Sequence, residues 1–358
     1  MPDAGKLHLG MLWDGATVLG IEVKSTRPPA YRLLHGRSPE EAVQLIPLLY
    51  SVCGKAQQAA ARAAIVQDRE VIQIEKLERG VACEAMQEHL WRLLLDWPNR
   101  LGLPQLETQF VHWHAALTAI AAGNGDAEKL KVELHQALLG MSAEKWQQLD
   151  THARLLACLK TKQGLLVPII LALEIRESQL NFVGEKRGSN LMPIWSTAEI
   201  SQKFIGELDP EFAAMPHYKG RPLETGALAQ AQSMPLLQDV LRCRPAGLLA
   251  RLIARLIDLL DSITTVMRGR SRIGYEGAGL SVVQTARGIL LHHARIEAGR
   301  IAQYLIVAPT EWNFHPQGAL TSLIGLQEDN RTHLMETVAL FMLSLDPCVQ
   351  FETEVIHA

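Results

Sequence analysis

A chain of 358 residues with 48% apolar and 20% charged residues has an ordinary globular composition and enough length for a sizeable core. Its net charge of -3 and pI near 6.5 give no electrostatic ground for a nucleic-acid or bilayer partner. The five cysteines (Cys53, Cys83, Cys158, Cys243 and Cys348) are odd in number and widely spaced, which argues against a disulfide framework. Any special cysteine here acts as a thiolate, as ligand or as nucleophile. Residues 1–14 lack the basic-then-apolar order of a secretory signal. The most apolar stretch, 164–173, has about half of the roughly 20 residues a spanning helix needs, and 248–260 carries Arg251, Arg255 and Asp258. A cytoplasmic protein is expected.

The first segment reads as strand. Leu7, Leu9 and Leu12-Trp13 lead through an Asp14-Gly15 turn to 18–23, a hairpin signal that Pro28-Pro29 ends. Helices follow. Ser38-Pro39-Glu40-Glu41 combines a capping box with proline at the first helical position, and the apolar residues from Ala42 to Leu49 form one broad face. Cys53-Gly54 interrupts that run, and an alanine-rich helix suited to close packing is expected over 56–72. Further helices are expected over 83–96, 107–122, 127–139 and 143–161, and over 236–260 with a break at Pro245-Ala246-Gly247. The basic cluster Arg268-Gly269-Arg270-Ser271-Arg272 reads as a solvated loop. Gly274 to Gly279 is a glycine-rich loop with the spacing of neither a dinucleotide fingerprint nor a phosphate loop. A second hairpin is expected from 288–296 and 301–307, and an apolar helical run over 337–345 leads to Asp346-Pro347-Cys348. The expected fold class is α+β: one mainly helical domain over 1–358 with small β elements near both termini. Within it, 1–75 holds the first hairpin and the Cys53 helix, 76–270 the helical body, and 271–358 the second hairpin and the Cys348 segment.

Cys53 stands between two helices, near the start of the second, where free N–H groups favour a thiolate. It reads as a soft ligand or as a small residue buried in a packed turn. Pro347 fixes the backbone before Cys348 and pre-orients its thiol, which suits a ligand without requiring one. Arg287-Gly288 opens the second hairpin and Pro309-Thr310 closes it. A guanidinium and a hydroxyl are therefore expected at the rim of one pocket, as donors to a small anionic acceptor or as a brace for the turn. His292 and His293 face opposite sides of a strand and do not share a metal, while His357 is near Cys348 in sequence. No Gly-x-Ser-x-Gly elbow, His-Glu-x-x-His or Cys-x-x-Cys pair is present. The residues alone support a soluble α+β protein with two candidate thiolates.

Five motifs, in this order, carry a resemblance. They are Leu33-Leu34-His35-Gly36-Arg37-Ser38-Pro39 with Cys53-Gly54, Leu223-Glu224-Thr225-Gly226-Ala227-Leu228-Ala229, Thr285-Ala286-Arg287-Gly288, Val307-Ala308-Pro309-Thr310-Glu311-Trp312-Asn313, and Asp346-Pro347-Cys348. Together they resemble the large-subunit family of nickel–iron hydrogenases, and more narrowly its HupK/HoxV-type accessory proteins, which assist hydrogenase maturation. The middle of the chain resembles the family only as helices. In the enzymes two Cys-x-x-Cys pairs give nickel four thiolates, and the second of each pair bridges to iron. Here those second positions are Ala56 and Phe351. Gln230 replaces an arginine, Tyr31 stands about where a magnesium-binding glutamate is found, and Ala4 replaces an N-terminal acid.

The resemblance therefore implies neither nickel, for which two sulfurs are too few, nor hydrogen turnover; the chain is expected not to be an enzyme. It implies that the iron half of the site is kept. Arg287 and Thr310, with Pro309 beside them, match the residues that hydrogen-bond the cyanides on iron, and Cys53 and Cys348 are the implied metal ligands. The implied function is a maturation factor that transiently holds the Fe(CN)2CO unit before its transfer to a hydrogenase large subunit. Other maturation proteins of the HypC/HypD type are the further partners implied. A metal-free assembly chaperone and a Cys53–Cys348 redox pair are the alternatives. The family's processing histidine falls at Glu354, and no nickel-dependent processing is expected.

Overall fold

The computed structural model describes residues 5–66, 74–184, 189–268, 271–276 and 279–358. Among them nine strands form: β1 (Lys6–Trp13), β2 (Val18–Ser25), β3 (Asn181–Phe182), β4 (Ile273–Glu276), β5 (Leu280–Thr285), β6 (Gly288–Glu297), β7 (Arg300–Val307), β8 (Leu326–Gln327) and β9 (Gln350–His357). The N-terminal hairpin forms as expected, with Leu9 opposite Val23. Its other edge is covered by β9, which runs parallel to β1 from Gln350 opposite Lys6 to His357 opposite Trp13. The two-residue period of β1 buries Leu7, Leu9, Met11 and Trp13. The second hairpin, β6 and β7, also forms, as half of a four-stranded sheet in the order β4-β5-β6-β7. The glycine-rich stretch expected as a loop begins as strand β4, and its positions 277–278 lie outside the described residues.

The capping box is present: Ser38 accepts from the Glu41 N–H, and Glu41 accepts from the Ser38 N–H, at the start of the Pro39–Leu49 helix. The alanine-rich helix runs Gly54–Ile65, and positions 67–72 of its expected span are outside the described residues. Its buried alanines let the backbone lie close on the four-stranded sheet, where Ser281 Oγ donates to the Ala60 carbonyl at 2.7 Å. The helix expected over 83–96 starts earlier, as Ile74–Trp91, and continues through a π-helical turn at Arg92–Asp96 into Trp97–Arg100. The expected 143–161 helix is two, Ala143–Gln147 and His152–Leu159. Ser142 and Thr151 each cap a new start, a local hydrogen bond that outcompetes helix continuation.

The break at Pro245-Ala246-Gly247 separates the Pro235–Cys243 and Leu248–Arg268 helices as expected. The second is the centre of the helical body. Its first turn is capped from another helix: both Glu177 carboxylate oxygens accept N–H bonds, Gly247 and Leu248 on one and Leu249 on the other. The charges that rule out a membrane span lie on one face, and that face is buried. Arg251 makes a bidentate pair with Glu224 (2.9 and 2.8 Å), Arg255 reaches Asp346 at 2.7 Å, and Asp258 holds His89 and Arg272, each at 2.7 Å. Arg272, expected in a solvated loop, is therefore buried, because Asp258 and the Ser262 hydroxyl receive its guanidinium.

The Arg331–Leu345 helix ends at Asp346, which takes a left-handed conformation (φ 60) and is 2% exposed. Such a backbone disfavours a residue with a Cβ by roughly 1–2 kcal/mol. The compensation is electrostatic. Arg92 Nε lies at 2.6 Å, Arg255 Nη1 at 2.7 Å and Arg287 Nε at 3.5 Å from the carboxylate. Burial alone pushes this carboxyl up, but Arg287, Arg92 and Arg255 together outweigh it and hold it far below the usual carboxylate range. Arg92 also donates to the Pro347 carbonyl at 3.0 Å, so the clamp extends to the residue before Cys348.

Two outcomes follow for stability. Asp346→Asn leaves buried guanidiniums without their counter-charge and is expected to cost about 3–5 kcal/mol. The checks are the urea midpoint and the rate of Cys348 labelling by a thiol reagent, which rises as its anchor loosens; wild-type values for both refute the clamp. Burial raises the Glu177 pKa from 4.5 to about 7 despite its three N–H donors. The stability it contributes is then fully present below pH 4.5 and lost as pH rises to about 7. Glu177→Gln should flatten the melting-temperature profile across that window by the equivalent of about 3 kcal/mol, and an unchanged slope refutes this.

Candidate functional site

Three of the motifs meet in space around Arg287. Gly288 has φ +127, and a Cβ there would lie 2.3 Å from Thr225 Oγ1, so only glycine lets the chain pass. Asn313 Nδ2 donates to the Arg287 carbonyl at 2.8 Å while its Oδ1 accepts from the Thr225 N–H at 2.9 Å. The backbone of Arg287 is thus pinned between 225 and 313. Its guanidinium points toward Glu88, which accepts from Nη1, and toward Asp346. Pro309 opens the short Pro309–Asn313 helix, and the next residue, Thr310, puts Oγ1 3.0 Å from Cys348 Sγ.

Cys53 closes a short 3-10 turn, Ser51–Cys53, and is the N-cap of the Gly54–Ile65 helix. The expectation that free N–H groups there favour its thiolate is corrected. Glu84 takes the Lys55 and Ala56 N–H groups at 2.7 and 2.8 Å, and the sulfur has only a long bond from Gln57 Nε2 at 3.7 Å. Burial, then the Glu88 and Cys348 charges, push the Cys53 thiol well above its ordinary pKa, against the opposing pull of Arg287. Both thiols are free, and both feel the Arg287 charge. Behind Cys53, Gln57 Oε1 meets His292 Nε2 at 2.9 Å and His292 Nδ1 meets the Tyr304 hydroxyl at 2.7 Å. Burial lowers the His292 pKa to about 3, so this chain of contacts is neutral.

Arg287 and Cys348 open onto a cleft of about 870 Å³ whose other walls include Val52, Glu84, Glu88, Trp91, Arg92 and Phe351. Phe351 enters it from β9, where it is opposite Leu7. His357 is at the far end of that strand, its ring 5.5 Å from that of Trp13, and takes no part. Tyr31 lines a separate cleft with Arg27, Tyr50 and Glu311. Among the described residues no group of three or more His, Cys, Asp or Glu side chains is placed to hold a metal ion. The buried Arg287 Nε and Glu88 Oε1 have no hydrogen-bond partner. Two sulfurs, a hydroxyl, a guanidinium and partly apolar walls suit a soft metal unit with anionic ligands better than a bare hard cation.

The sequence reading missed Asp346 as a clamp, the Glu84–Glu88 pair, Gln57 and Arg27. Asp346 was signalled by its place in the Asp-Pro-Cys motif. Glu84 and Glu88 were signalled by their spacing of four, which puts both on one helical face.

A family model described as "Nickel-dependent hydrogenase" matches residues 246–351. The hydrogenase expression/formation protein HupK of Rhizobium leguminosarum bv. viciae is 30% identical, over 99% of this chain and 98% of its own. HoxV of Cupriavidus necator, of the same description, is 28% identical over 91% of this chain and 90% of its own. The Ni-Fe-Se hydrogenase of D. vulgaris Hildenborough superposes with a TM-score of 0.57 at 15% identity, covering 94% of this chain and 95% of that one. The α+β fold is that of a hydrogenase large subunit. Among the described residues, no helix is long and apolar enough to cross a membrane. The chain belongs to the HupK family of hydrogenase expression/formation proteins.

Proposed function

We propose that the protein is a non-catalytic hydrogenase maturation factor that carries the Fe(CN)2CO unit and passes it to a hydrogenase large subunit. The observation that carries this reading is the meeting of two free thiols with the Thr310 hydroxyl, which touches Cys348, and the Arg287 guanidinium, which shares a cleft with Cys348. Cyanides on a low-spin iron are anionic acceptors, and a guanidinium and a hydroxyl are the donors they need. Cys53 and Cys348 supply soft ligands at the remaining positions. Pro309 shapes the turn that presents Thr310. Nickel is not part of the reading, because Ala56 and Phe351 bring no third or fourth sulfur.

In this reading the unit arrives from upstream maturation proteins of the HypC/HypD type, and the acceptor is the large subunit that this chain resembles in fold. The open cleft, walled by Trp91 and Arg92 as well as the site residues, leaves room for exchange between proteins.

Infrared spectra test this. Protein purified without oxygen from cells with intact maturation genes should show cyanide and carbonyl stretching bands, and Cys53→Ala or Cys348→Ala should each abolish them. Wild-type protein without bands, together with full hydrogenase maturation by the double cysteine variant, would leave only a metal-free chaperone.

A further inference from the structure

Arg27 is a largely buried cation that the proposed function does not use. It follows β2, and its main-chain N–H reaches Ser25 Oγ at 3.4 Å just before Pro28-Pro29 turn the chain. Its Nη1 is 2.5 Å from Glu311 Oε1, with the two side chains only 14% and 18% exposed. Glu311 follows Thr310 on the same short helix, so this ion pair is one residue from the hydroxyl that contacts Cys348. A cleft of about 330 Å³, lined by Arg27, Tyr31, Tyr50 and Glu311, reaches the pair from outside. The large cleft reaches Arg287 and Cys348. Two arginine–glutamate pairs, Arg287 with Glu88 and Arg27 with Glu311, therefore lie near the Thr310–Cys348 contact, each on its own cleft.

We propose that Arg27 is a second cationic arm of the site, compensating the charge of the bound metal unit together with Arg287. The proposal rests on the carrier reading above. Iron(II) with two cyanides and a carbonyl is neutral, so two thiolate ligands leave a net charge of about -2 in a largely buried place, which is costly unless cations face it. Burial disfavours the Arg27 charge, and its ion pair with Glu311 offsets that cost. The geometric link to the sulfurs is Thr310, the residue before Glu311, whose hydroxyl is 3.0 Å from Cys348 Sγ. Among the described residues Nη1 makes the only hydrogen bond of this guanidinium, leaving donors for the load. Glu311 keeps the arm in place while the site is empty of charge.

The test compares wild type, Arg27→Met, Arg27→Lys and Glu311→Gln, all purified without oxygen from cells with intact maturation genes, by infrared spectroscopy and iron content. Arg27→Met should retain roughly tenfold less carbonyl-cyanide iron, with displaced cyanide bands in what remains. Arg27→Lys should recover most of it. Glu311→Gln, which keeps the guanidinium, should hold at least the wild-type amount. Wild-type bands and iron content in Arg27→Met overturn the proposal while leaving the carrier reading intact. Loss of iron in Glu311→Gln equal to that in Arg27→Met also overturns it, since the pair then serves only the fold. Wild-type protein without bands overturns the carrier reading and this proposal together.

Discussion

One buried carboxylate organises this molecule. Asp346 draws Arg92 from the π-helical turn, Arg255 from the central helix and Arg287 from the β5–β6 connection onto a single pair of oxygens. Arg92 and Arg287 have second partners in Asp96 and Glu88, but without Asp346 the buried Arg255 would face only the His89 ring among the described residues, at a cost of several kcal/mol. The gain is in uniqueness more than in net stability, because desolvation offsets much of the attraction. What the clamp fixes is direction: the chain leaves the last helix with a left-handed residue and enters Pro347-Cys348 on one path.

The second constraint is topological. Cys53 and Cys348 come from opposite ends of the chain, and the parallel pairing of β1 with β9 brings the C-terminal segment back to the N-terminal hairpin. The alanine helix that starts at Cys53 is pressed on the four-stranded sheet, and that sheet's β6 begins at Gly288, next to Arg287. Sheet, helix and strand therefore converge on the site from three directions. Its donors are held mainly by packing of main chain, with one direct contact among them, Thr310 Oγ1 to Cys348 Sγ.

What could be read in the sequence was local. Ser38 and Glu41, the Asp14-Gly15 turn and the break at Pro245 act through neighbours a few residues away, and the structure contains each one. The motifs around Arg287, Thr310 and Cys348 were legible too, and two of those side chains prove to be in contact. The misses are non-local. β9 has an exposed, weakly alternating pattern, and only its partner β1, at the other end of the chain, makes it a strand. The stripe Arg251, Arg255 and Asp258 has the spacing of a solvated face, yet its counter-charges arrive from Glu224, Asp346, His89 and Arg272. At Cys53 the free N–H groups were correctly placed, but the acceptor that takes them is Glu84, from another helix.

The number of sulfurs at the site is a matter of side-chain identity and not of geometry. Phe351 is the second residue of β9, its register set by eight consecutive pairs with β1. A slip by one residue would turn every side chain of that strand to the opposite face, so position 351 is firmly committed to the cleft it lines. Ala56 is likewise fixed, buried on the first turn of its helix with its N–H on Glu84. The scaffold thus holds positions 53, 56, 348 and 351 in place and furnishes only the first and third with thiols. A fold that keeps its frame while two of the four positions carry Ala and Phe supports holding a smaller unit with fewer bonds. In the carrier reading proposed above, a site with half the sulfurs would lose its load readily to one with all of them, which is the property a carrier needs.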